Sequence, residues 1–307
     1  MEAIDLREYL SKHRTFIMGM AMISIILFHQ VQFDTGIFSF FHKFGHLGVD
    51  LFLLVSGYGI SRSLESNSLK NYFRNRLVRI FPTCIFLGII NSLILLSRGE
   101  YSSSIRVMCW RPFSFDIWFI QAIVIYYLLA PVLSYVGRSV GMSYVLYFVV
   151  LLIFTVMPPS LFYNYHPLDW TWARLPAFLT GMLWYQTRSF HLNYSWVLIG
   201  VIALGIIFYF NGAIYYQFIL AMPLVIYALG KLAGLAQKIH IESFICFFGK
   251  YSLEILICRC IVYVVLKHYF DVKSSGIYFV IEVAGFILLA YATKKIVNLL
   301  PFVSKRS

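Results

Sequence analysis

The chain has 307 residues, of which 60% are hydrophobic and only 12% charged. A soluble domain carries about 25% charged residues, so most of this chain must face lipid or other lipid-embedded helices. The formal net charge of +12 raises nucleic acid as a partner. That partner is excluded, because the basic residues lie between apolar runs rather than along one amphipathic face, and they are better read as topology signals.

The first apolar run, 15–33, is long enough to cross a bilayer and has no small-residue cleavage site, so it is expected to remain as the first membrane helix rather than leave as a signal peptide. Further runs follow at 44–61, 80–97, 115–134, 142–157, 172–187, 193–210, 213–230, 250–268 and 276–293. The expected fold is an all-α integral membrane bundle of about ten helices, each of roughly twenty residues. It is read as a single transmembrane domain over residues 1–307, with no spacer, internal repeat or extra soluble domain. With both termini cytoplasmic, Arg14, Arg62, Arg74, Arg76, Arg79, Lys231, Lys238, Lys294 and Lys295 fall inside, and only Lys43, Arg98, Arg106, Arg111, Lys267 and Lys273 fall outside. The five cysteines show no CxxC spacing and are expected to be packed thiols, with no metal site.

Ionisable residues within spans are functional suspects. His29 lies fifteen residues beyond Arg14, roughly 22 Å along a helix axis, and so toward the outer side. Burial favours a neutral imidazole, the form a general base requires; on spacing alone, a packing hydrogen bond explains the residue equally well. Asp50 sits near the outer end of the second span and is expected to orient that imidazole. Around it, Gly45, Gly48, Gly57, Gly59 and Ser56 read as close-packing positions. Arg76 and Arg79 share one face at the cytoplasmic start of the third span, with Arg74 beside them. They read either as a topology anchor or as a phosphate clamp. Glu254, Arg259 and Glu282 are further intramembrane charges, with Arg259 expected to pair with Glu282. Trp170 and Trp172 beside Arg174 suggest an outer aromatic surface.

The stretches MGMAMISIILFH (18–29), GHLGVDLFLLVSGYGI (45–60) and RLVRIFP (76–82), followed by DIWFIQAIVIYYLLAP (116–131) and FGKYSLEIL (248–256), resemble the successive signatures of the acyltransferase-3 family of membrane O-acyltransferases. The resemblance implies about ten helices that move acyl groups, usually acetyl, from cytoplasmic acyl-CoA to hydroxyls of glycans or lipid-linked sugars. It implies His29 as the catalytic residue and Arg76 and Arg79 as the basic pair at the start of the third helix. The sequence departs from the family in three places. Met18 stands where many members have a basic residue, and Arg14, one turn earlier on the same face, is the candidate replacement. Ile123 and Val124 follow Trp118 where glutamates are common. Arg259 stands where a histidine is often found.

The expected enzyme is therefore an O-acetyltransferase of the inner or plasma membrane. His29 and Asp50 are its catalytic residues, and Arg14, Arg76 and Arg79 hold the phosphates of the acyl-CoA donor. No cofactor is expected to be bound permanently, and self-association is left open. The alternative is a proton-coupled secondary transporter using the same buried charges. The charge asymmetry makes the topology testable: reporters fused at Ser307 and near Glu100 should report opposite sides of the membrane, and reports from the same side would overturn the ten-span arrangement.

Overall fold

The computed structural model describes residues 4–29, 39–99, 118–137, 140–156, 167–187, 191–192, 194–209, 215–269, 276–300 and 303. Cys109, Arg106, Arg111 and Lys273 lie outside these residues. The architecture is helical, as expected: α1 (Leu6–Lys12), α2 (Arg14–Phe28), α3 (Ser39–Ser66), α4 (Leu69–Ser97), α5 (Trp118–Val136), α6 (Val140–Val156), α7 (Pro167–Gln186), α8 (Tyr194–Tyr209), α9 (Tyr215–Lys238), α10 (Glu242–Lys250), α11 (Ser252–Tyr269) and α12 (Gly276–Asn298). The two-residue strands β1 (Ile4–Asp5) and β2 (His191–Leu192) pair antiparallel.

Each expected apolar run corresponds to a helix, but five helices among the described residues are long and apolar enough to cross a membrane, or six if α1 and α2, bent by 77°, form one span. The reason lies in length and charge. Helices α2, α6 and α8 have 15, 17 and 16 residues, and α11 carries Glu254, Arg259 and Lys267. Helices α1 and α10 were not anticipated. Asp5 caps α1 by accepting a hydrogen bond from the Arg7 amide at 2.9 Å. Helix α10 follows a reversal in which the His240 amide donates to Gln237 O and the Ile241 amide to Ala236 O, with His240 at φ 58°. This is a Schellman motif with histidine in the place that glycine usually takes.

The chain divides into two compact units. The first comprises Met1–Ser68 and Ala122–Lys250. Its centre is α3, packed against α2 on one side and α7 on the other. The contact with α7 is backbone to backbone: a Cβ at Gly57 would lie 2.1 Å from Phe178 O, and one at Gly181 would lie 1.9 Å from Leu54 O. Helix α2 meets α3 at Gly48 and α10 at Gly19 and Gly249 in the same manner. Small residues let membrane helices gain van der Waals contact that larger side chains would block. The expected packing role is thus met at Gly48 and Gly57. Phe16, Ala233, Ala236 and Ile245 form an apolar cluster joining α2, α9 and α10.

The second unit comprises Leu69–Gln121 and Tyr251–Ser307, where α4 packs with α11 and α12. Helix α4 begins eleven residues before the expected span start at 80, so Arg74, Arg76 and Arg79 lie on its first turns. Cys84 and Cys258 are buried free thiols, and Cys246 and Cys260 are half-buried.

Gly181→Ala should lower the thermal stability of the detergent-solubilised protein by about 1–3 kcal/mol or more, as overpacking does. Gly205→Ala, where nothing lies within 4 Å of the added methyl, should be neutral or slightly stabilising. Equal melting temperatures for the two variants would contradict the close α3–α7 contact.

Candidate active site

Helix α2 ends at His29, which is exposed. The histidine ring bonds back to its own helix: Nδ1 lies 2.8 Å from Ile25 O, which also accepts the His29 amide at 3.3 Å. A carbonyl can only accept, so Nδ1 carries the proton and donates it. The neutral ring then has its lone pair on Nε2, the nitrogen that can take a proton from a substrate. The Phe28 ring packs edge-on against the imidazole, with centroids 5.0 Å apart.

Asp50 is buried on the face of α3 that meets α7, and its Oδ2 accepts a hydrogen bond from Arg174 Nη1 at 2.7 Å. Arg174 is also buried, rather than lying at an outer aromatic surface with Trp172, which is 40% exposed. Beside the pair, the Tyr126 hydroxyl donates to Thr171 O, and its ring stacks on Phe178 at 4.8 Å. The two expected catalytic residues therefore have different partners. Asp50 is engaged by Arg174, while the imidazole is oriented by a main-chain carbonyl.

Arg14 begins α2 with its guanidinium against Gly59 of α3; a Cβ at Gly59 would lie 2.8 Å from Nη2. In the second unit, Arg76 and Arg79 share a face of α4 as expected. The Arg76 guanidinium lies 5.6 Å from the ring centroid of buried Tyr72, and Arg79 is exposed. The Lys294 ammonium lies 3.7 Å from Glu254 Oε1 and 4.5 Å from the Tyr251 ring centroid. Arg259 Nε is buried without a hydrogen-bond partner, and the expected Arg259–Glu282 pair is not among the ion pairs of the described residues. No group of three metal-ligating side chains occurs among the described residues.

The acyltransferase-3 family, described as an acyltransferase domain, matches residues 17–295. The chain belongs to this family. No curated protein and no solved structure matched it. The matched segment of the acyltransferase includes His29, Asp50, Arg76, Arg79 and Arg174, whereas Arg7 and Arg14 precede it. Arg174 is the site residue that sequence reasoning missed. The signal was present, because the sequence reading put Asp50 near the outer end of 44–61 and Arg174 near the outer end of 172–187. A buried carboxylate needs a cation at matching depth.

Removing one member of the ion pair should destabilise the acyltransferase by about 3–5 kcal/mol, because the other charge is left buried and unpaired. Asp50→Ala and Arg174→Met should each do so, and the double variant Asp50→Leu/Arg174→Met should recover most of the loss in thermal unfolding. A double variant as unstable as the worse single one would show that the two charges do not act as a pair.

Proposed function

We propose that this chain is an O-acyltransferase of the cell membrane. It transfers an acyl group, acetyl in the first instance, from cytoplasmic acyl-CoA to a hydroxyl of a glycan or lipid-linked sugar. The observation that carries the reading is the accessible His29 at the end of α2, held by Ile25 O so that Nε2 is its basic atom, in a chain of an acyltransferase family. Membership of that family favours this reading over the transporter. The full arrangement has ten spans with both termini cytoplasmic, the five helices that are already long and apolar enough being supplemented by shorter and more polar ones.

In this reading Nε2 takes the proton of the acceptor hydroxyl as its oxygen attacks the thioester carbonyl. The tetrahedral intermediate collapses with cleavage of the C–S bond. The new ester remains on the acceptor, and the imidazolium returns its proton to the departing thiolate. Arg14, Arg76 and Arg79 hold the donor's phosphates through charge-assisted hydrogen bonds. Asp50 supports the reaction through α3, as the buried partner of Arg174.

His29→Gln, which keeps a polar side chain but has no base, should lower acyl transfer by about 10²–10⁴-fold while leaving expression and acyl-CoA binding intact. Wild-type activity should also fall at acid pH, where the imidazole is already protonated. Release of CoA from acetyl-CoA by purified protein with candidate glycans is the assay. Near-normal turnover by His29→Gln would reduce the histidine to a helix-capping residue.

A further inference from the structure

From Leu77 onward, α4 exposes an apolar stripe. Leu77, Ile85, Ile89, Leu93 and Leu96 are exposed, and their spacing returns each to nearly the same face of the helix. Buried Ile80, Thr83, Cys84, Leu87 and Leu95 lie on the opposite face. At 1.5 Å per residue the stripe from Leu77 to Leu96 is roughly 28 Å long, close to the roughly 30 Å of a bilayer's hydrocarbon core. Two exposed basic residues continue the same face toward the start of the helix: Arg74, one turn before Leu77, and Lys70, one turn before Arg74. Among the described residues, neither side chain forms a hydrogen bond or an ion pair, and α4 contains no acidic residue. Arg76 and Arg79, assigned above to the donor, lie off this face.

We propose that Lys70 and Arg74 hold the phosphate headgroup of an anionic phospholipid whose acyl chains lie along Leu77, Ile85 and Ile89. With the stripe in the hydrocarbon layer, Arg74 stands about 4 Å and Lys70 about 10 Å beyond its end. The headgroup layer is roughly 5–8 Å deep on each side, and the long lysine stem lets its ammonium reach back into that layer. Side chains four apart on a helix are neighbours, so a guanidinium fork and an ammonium offer their donors to one phosphate. A cluster of basic residues immediately beside a span attracts anionic lipid. A topology signal alone needs positive charge on one side of the membrane, but not its alignment with the face that meets the acyl chains. That alignment favours a lipid headgroup over a soluble anion, and the proposal is independent of the donor reading.

The test uses full-length protein in nanodiscs of phosphatidylcholine with a minor share of phosphatidylglycerol. Native mass spectrometry counts the lipids that stay bound on release. Wild type should retain phosphatidylglycerol over phosphatidylcholine by about tenfold or more, because each basic residue near the surface strengthens binding of anionic lipid about fivefold. Lys70→Gln/Arg74→Gln should lose most of this preference. Arg74→Gln alone leaves three basic residues on the segment to hold the topology, and should lose about fivefold even if the double variant inserts poorly. Lys12→Gln/Lys238→Gln removes the same charge from exposed positions elsewhere and should keep the preference. No preference in wild type, or one unchanged by Arg74→Gln, would overturn the site. Equal losses in the two double variants would assign the attraction to net charge and overturn it as well. A raised Kd for acetyl-CoA in Arg74→Gln, measured in phosphatidylcholine alone, would place the arginine with the donor and overturn the lipid assignment.

Discussion

The buried pair of Arg174 and Asp50 constrains the first unit more than any other polar contact described here. Two charges withdrawn from water lose several kcal/mol of solvation each, and their attraction offsets this only when the geometry is good. The 2.7 Å hydrogen bond provides that geometry. Together with the backbone contacts at Gly57 and Gly181, it fixes α3 against α7. Helix α3 then presents Gly48 to α2, and α2 carries His29 at its end. The line from ion pair to histidine runs through close-packed helix backbones, where small displacements are resisted by steric contact.

That arrangement separates two tasks that often fall to one carboxylate. Orienting the imidazole is left to Ile25 O, which carries no charge and does not titrate. The tautomer is therefore set independently of the ionisation of nearby acids. The carboxylate of Asp50 sits in a dry environment beside the Arg174 guanidinium.

The positions of the ten main helices were legible because apolar runs of span length are long, strong signals. Their ends were not. Helix α4 starts at Leu69 rather than near 80, and α9 runs to Lys238 rather than 230. Hydrophobicity marks where a helix meets lipid, whereas hydrogen bonding continues into polar sequence. Helices α1 and α10 have seven and nine residues, too short for any such signal. Of the site, His29 could be picked out as an isolated polar residue in an apolar run. Its orienting partner could not, because a main-chain carbonyl has no signature in the sequence. Arg174 was misplaced because Trp170 and Trp172 beside it on the same helix drew it toward an outer aromatic surface. The Glu254–Lys294 contact was missed because Lys294 was counted as a topology charge.

Helix α4 carries its arginines on one side of a proline. Pro82 lies inside the helix, just after Arg79. With no N–H of its own, it leaves the carbonyl of Val78 without the donor that a regular helix would supply, and its ring crowds that same turn. The basic segment is therefore joined to the apolar remainder of α4 by a weakened turn. Such a joint bends more readily than the rod on either side of it, so Arg74, Arg76 and Arg79 can tilt together as a unit.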